Sequence, residues 1–261
     1  MICTLHHGDA LNWLETLPDH SVDALITDPP YSSGGLTAGE RKATPSVKYV
    51  KSGQAKQWVD FIGDNRDQRS QLQWMLLWLA QCRRVLRDGA PACLFSDWRQ
   101  LPLATDALQC AGFIWRGIMV WDKTEGARPH LGRPRAQAEY IIWGSKGSMP
   151  LTRNAPVLPG VIREVVRQQD KHHMTGKPTA LMRQLVRICE RHPDGTGGII
   201  LDPFAGSGTT LVAAALEGYR AIGCELSEHY YHVTRERLAA TFPDSNQHAH
   251  DTAIEQVSLN I

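Results

Sequence analysis

Short, unbroken apolar runs, each followed by a stripe of helical period, recur along this chain, and that alternation restricts the fold more than any other feature. The runs predict strands over 2–6, 22–27, 91–96, 113–121, 138–143, 198–202 and 219–225. The stripes predict helices over 10–17, 71–86, 106–111, 178–191, 209–216 and 228–240. Strands that are apolar on successive residues need cover on both faces, so the pattern implies an α/β fold with a mainly parallel sheet between helix layers. The 261 residues suit a single such domain. Two stretches break the rhythm. Residues 32–69 are rich in Gly, Ser, Lys and Gln, and residues 122–177 carry ten Lys and Arg against five Asp and Glu. Regions 32–69 and 122–172 read as functional insertions, and 243–261 as a flexible tail.

Composition excludes several classes. With 28 Lys and Arg against 27 Asp and Glu, binding by bulk basicity is excluded, and any polyanion must be met by local patches. The longest apolar run, 74–80, is far short of the roughly 20 residues of a membrane span, and the opening MICTLHHGDALNW has no basic segment before an apolar one. Neither a membrane partner nor a signal peptide is expected. The six cysteines form no C-x-x-C pair, and His172-His173 has no third ligand at a metal-type spacing. No metal is expected, and the cytoplasm is the default compartment.

Ligands of parallel sheets sit beyond the carboxyl ends of the strands, so the residues there carry the functional reading. After the strand VDALI comes Asp28-Pro29-Pro30-Tyr31. The prolines fix the backbone and remove donors, leaving outward carbonyls beside a carboxylate, with the Tyr31 ring free to stack. That suits a planar group bearing an NH2; a plain Asp-Pro turn is the competing reading. After the strand at 198–202 comes Asp202-Pro203-Phe204-Ala205-Gly206-Ser207-Gly208-Thr209-Thr210. A phosphate loop would need Lys after Gly208, and a dinucleotide fingerprint a small residue where Leu211 stands. A nucleoside with an amino-acid tail fits better, since the glycine bend offers N–H groups and Asp202 an acceptor. Glu225, ending the next strand 17 residues after Gly208, reads as a ribose ligand or as the cap of the helix that follows. Asp9 reads equally as an acceptor for an adenine amino group or as the cap of the first helix.

DPPY at 28–31 followed by DPFAGSGTT at 202–210 resembles the β-group of DNA amino-methyltransferases, which use S-adenosylmethionine (SAM) and carry these motifs in circularly permuted order. Lys177-Pro178 entering a helix, and Gly223-Cys224-Glu225-Leu226-Ser227, are also family-like, although Met174 stands where many relatives have Pro. The resemblance implies a Rossmann-like fold of seven strands, one antiparallel, the reversed strand being 113–121 or 138–143. It implies that Asp202, Pro203, Phe204, Ala205, Gly206, Ser207, Gly208 and Thr209 hold the methionine part of SAM. Glu225 and Leu226 would lie at the ribose and Asp9 at the adenine, with Lys177 and Pro178 closing over the cofactor. Asp28, between cofactor and base, would act with Pro29, Pro30 and Tyr31 on a flipped-out base of double-stranded DNA, leaving S-adenosylhomocysteine.

Asp at the first motif position leans to N6 of adenine, with N4 of cytosine the alternative and RNA or a protein glutamine further off. Carbon-5 chemistry is set aside because the chain has no Pro-Cys dipeptide. Lys42, Lys48, Lys51, Lys56, Arg128, Arg133, Arg135, Arg153, Arg163 and Arg167 are candidates for DNA phosphates, and Trp58 for a stacking contact. By the same resemblance, a homodimer and association with the nucleoid are expectations.

Overall fold

The computed structural model describes residues 3–31, 66–127, 129, 131–166 and 176–241. Among them are strands β1 (Cys3–His7), β2 (Ala24–Thr27), β3 (Pro91–Ser96), β4 (Ile114–Asp122), β5 (Ala138–Ser145), β6 (Val161–Arg163), β7 (Ile199–Asp202) and β8 (Arg220–Glu225). The helices are α1 (Ala10–Thr16), α2 (Gln68–Val85), α3 (Leu101–Cys110), α4 (Thr179–Leu185), α5 (Thr209–Leu216) and α6 (Glu228–Thr241). The strands form one sheet in the order β1-β8-β7-β2-β3-β5-β4-β6. Only β5 runs against the rest, pairing antiparallel with β3 and β4.

The alternation of side chains along a strand explains the layers. All four residues of β2 are buried. Ala24 and Ile26 enter one core with Leu181 of α4 and Leu211 of α5, against which Leu238 of α6 also packs. Leu25 points the other way, into a second core with Leu14 of α1, Trp78 of α2 and Leu108 of α3. Each fully buried Leu or Ile of this kind contributes roughly 1.5–3 kcal/mol. The chain leaves β2 toward β3 but leaves β7 toward β8, on the opposite side. The crevice between β2 and β7 is therefore the topological switch point.

Three features differ from the sequence reading. An eighth strand, β6, adds to the seven expected: it pairs parallel with β4 at Val120↔Val161 and buries Ile162. Helix α3 starts at Leu101 rather than 106, because Pro102 sits in the first turn, where its missing N–H is not needed. Helix α4 stops at Leu185, followed by a 3-10 turn over Val186–Ile188. Beyond it the backbone is taken by tertiary partners: Arg191 N–H donates to Asn154 O, and Gly198 N–H to Glu190 O. No described helix is long and apolar enough to cross a membrane.

Candidate active site

Parallel pairing of β2 with β7, Leu25 opposite Leu201, brings the ends of the two strands side by side. The Thr27 hydroxyl donates to Asp202 Oδ1 at 2.7 Å. As a result the 28–31 tetrapeptide and the 202–209 bend line one cavity of about 270 Å3, together with Asp9, Lys177, Glu225 and Leu226.

One end of this cavity is built from the glycine bend. Gly206 has φ +54°, and a Cβ there would meet nothing within 4 Å, so its backbone is open to a ligand. Gly208 is a different case and corrects the expectation of a second ligand contact. It does not line the cavity, and a Cβ on it would lie 2.4 Å from Thr234 Cγ2. Its glycine is demanded by helix packing. The two acids here face neutral donors. Asp202, buried, accepts from Thr27 and from the Phe204 N–H at 3.2 Å, and burial pushes its carboxyl up to about 6. Glu225 accepts from the Gly206 N–H at 2.8 Å and the Ser227 N–H at 2.7 Å, and burial pushes it up to about 7.

Asp9 caps α1 through Oδ1, which accepts from Leu11 N–H and Asn12 N–H. It also lines the cavity, and Oδ2 has no partner among the described residues. The cap and acceptor readings are thus compatible. Phe204 lies edge-on to Trp78, and its ring centroid is 5.2 Å from that of Trp74, which lines the cavity. The helical pattern alone puts Trp74 in the core; its four-residue offset from Trp78 is the pattern of both roles. Pro178 stands outside the cavity as the N-cap residue of α4, a second correction.

The other end is charged. Lys177 does not close over the glycine bend; it is buried beside the tetrapeptide. Its Nζ donates to Asp28 Oδ2 at 2.6 Å and to the Tyr31 oxygen at 3.1 Å, and lies 2.8 Å from Glu139 Oε1. The Tyr31 hydroxyl touches both carboxylates, Asp28 Oδ1 and, at 2.9 Å, Glu139 Oε1. Lys123 Nζ closes the array 2.7 Å from Glu139 Oε2. The two lysines hold Glu139 down to about 2, against burial. Burial raises Asp28, opposed by Lys177. The Pro30 carbonyl accepts from the Gln71 side chain at 2.8 Å, so it is not the outward acceptor expected of it. The Pro29 carbonyl accepts from no described donor. Glu139 was missed by the sequence reading. Its signal, an acid inside the otherwise apolar strand AEYIIW, does not say what it faces.

The basic candidates divide. Arg153 is mostly buried, donating to Ile188 O at 2.8 Å and pairing with Glu190, which removes it from the phosphate set. Arg135 donates to the carbonyls of Glu125 and Ala127, bracing its own loop. Arg163 pairs with Glu125 at 2.8 Å, and Arg133 is exposed. Lys42, Lys48, Lys51, Lys56, Trp58, Arg128, Arg167, His172 and His173 lie outside the described residues.

Comparison with known proteins gives a consistent result. A family model described as DNA methylase, of the N6/N4 type, matches residues 22–236. YubD of Escherichia coli (strain K12), classed as a methylase, is 30% identical over 233 residues, spanning 89% of this chain and 88% of that protein. A DNA modification methylase of Thermus thermophilus, TTHA0409, crystallised with SAM, superposes with a TM-score of 0.66 at 22% identity over 93% of this chain and 96% of its own. The cytosine-N4-specific PvuII DNA methyltransferase superposes with a TM-score of 0.66 at 17% identity, over 91% and 86%.

Proposed function

The chain belongs to this DNA methylase family, and we propose that it methylates the exocyclic N6 amino group of adenine in duplex DNA, using SAM, on a base turned out of the helix. The observation that carries the reading is the single cavity shared by two dissimilar acceptor sets, joined by the Thr27–Asp202 bond. Asp202 is a buried acceptor suited to the ammonium of the amino-acid tail, Gly206 leaves room for that tail, and Glu225 suits ribose hydroxyls. Asp9 Oδ2 suits an adenine amino group, and Phe204 with Trp74 offers apolar ring surface. Bound there, SAM supplies a methyl group already activated on a sulfonium.

The remaining difficulty is the acceptor, whose nitrogen lone pair is delocalised into the ring. Asp28 and the Pro29 carbonyl can accept both amino hydrogens. The nitrogen then pyramidalises and turns its lone pair toward the methyl, an arrangement that lowers the barrier by several kcal/mol. Incubation with SAM and unmethylated duplex DNA, digestion to nucleosides and mass measurement test the proposal. N6-methyldeoxyadenosine is the expected product. The second reading, N4 of cytosine, is favoured by the likeness to the PvuII enzyme and gives N4-methyldeoxycytidine instead. DNA that gains no methyl group overturns both.

A further inference from the structure

Behind the cavity wall stands a carboxylate for which the methyl-transfer reading has no role. Glu139 does not line the cavity, yet its oxygens reach every group that holds Asp28. Both oxygens of Asp28 are engaged: Tyr31 donates to Oδ1 and Lys177 to Oδ2. An amino group can dock on Asp28 only if one of these donors lets go, and a buried donor that lets go needs another acceptor at once. Glu139 Oε1 is that acceptor, 2.8 Å from the Lys177 ammonium and 2.9 Å from the Tyr31 hydroxyl, while Lys123 anchors Oε2.

Resting on the function proposed above, we infer that Glu139 is a positioning residue: it takes over the Lys177 ammonium and the Tyr31 hydroxyl, so that Asp28 can give its oxygens to the target amino group. The phenol has one proton and can give it to only one carboxylate at a time, so Tyr31 is a two-position switch between Asp28 and Glu139. The charges facing Asp28 are Lys177, Glu139 and, from β7, Asp202; those facing Glu139 are Asp28, Lys177 and Lys123. A purely structural ion-pair array is an unrewarding thing to bury, because well-packed apolar residues do as well. Its value is that it exchanges partners without stranding a charge.

The test is Glu139→Gln in the full chain, assayed with tritium-labelled SAM and unmethylated phage DNA across pH. Tyr31 and Lys177 then stay on Asp28, and kcat is expected to fall at least tenfold while SAM affinity stays within twofold. Glu139 raises the Asp28 carboxyl by repulsion, so its removal is expected to move the acid limb of the kcat profile to lower pH. If kcat stays within twofold, or falls with the limb unmoved, the Glu139 role is overturned while the methyltransferase reading stands. A wild-type chain that puts no methyl group on DNA removes both.

Should the Gln variant fail to fold, Lys123→Gln reads the same array from its more open end. Stripped of one cation, Glu139 takes up a proton more readily. The limb is then expected to move to higher pH with at least a threefold loss of kcat, and no change in either overturns the inference.

Discussion

The two ends of the cavity treat buried carboxylates in opposite ways. At the glycine bend Asp202 and Glu225 meet only a hydroxyl and backbone N–H groups, and burial pushes both up, to about 6 and about 7. At the tetrapeptide Glu139 meets two lysines and falls to about 2. The first end keeps acceptors without a cation, which suits a ligand that brings its own. The second carries its cations in the fold and must release them to accept a neutral amine. One cavity thus holds a binding half that is electrostatically incomplete and a reacting half that is closed on itself.

The largest expected effect separates the halves outright. Asp28→Ala leaves Lys177 with Glu139, so the array keeps a neutral pair and the fold survives. Methyl transfer is expected to drop by about a thousandfold, comparable to removing a key transition-state contact, with SAM affinity within threefold by calorimetry. Equal losses of both would mean that the halves are not separable.

Next in size is the cost of breaking the closed half. Lys177→Met leaves Asp28 and Glu139 facing each other, and urea unfolding is expected to show a loss of about 3–5 kcal/mol, the usual result of stranding a buried charge. A loss under about 1 kcal/mol would show that the array is wet and loosely held.

How much of this was legible in the sequence follows the same divide. The glycine bend is local: strand, bend and helix lie close together in the chain, and Glu225 sits at a family spacing, so 202, 206 and 225 could be named from the chain alone. Asp28 and Tyr31 were legible for the same reason. Lys177 reads as a lid because its sequence neighbours suggest one; its partner Asp28 lies 149 residues away. Glu139 reaches Tyr31 across 108 residues through the pairing of β5, and no local pattern records that. Strand β6 escaped because three residues are too short for periodicity, and its partner β4 supplies the order. The Gly208 misreading has the same origin: Thr234, which forbids a side chain there, sits a helix away.

A pH series tests the incomplete half. Asp202 titrates near 3.8 when unfolded and near 6 when folded, so the folded state prefers it protonated. Its stabilising contribution is full below about pH 4 and is lost as pH rises through about 6. Glu225 acts in the same direction up to about 7. Well above its unfolded value of 4.5 the depressed Glu139 is ionised in both states and adds no slope. The free chain is therefore expected to lose urea stability between about pH 5 and about pH 8. SAM affinity, which needs an ionised Asp202 for the ammonium, is expected to fall as pH drops below about 6, by at most roughly tenfold per pH unit. Asp202→Asn should flatten both curves; an unchanged affinity curve would place the ammonium elsewhere.

The smallest effects test the bend itself. Gly206→Ala and Gly208→Ala both put a side chain at positive φ, +54° and +78°, each at a cost of about 1–2 kcal/mol. At Gly208 the new methyl also meets Thr234, which is fully buried and donates through Oγ1 to the Gly206 carbonyl at 2.8 Å. Thr234 cannot turn aside without losing that bond, so overpacking adds about 1–3 kcal/mol. At Gly206 the methyl enters open space, and the added cost falls on whatever ligand fills it. Gly208→Ala is therefore expected to lower Tm more, and Gly206→Ala to weaken SAM binding more when each is compared at a temperature where it is folded. The reverse order would mean that the ligand runs along the Gly208 side of the bend, where the packing of α6 leaves it no space.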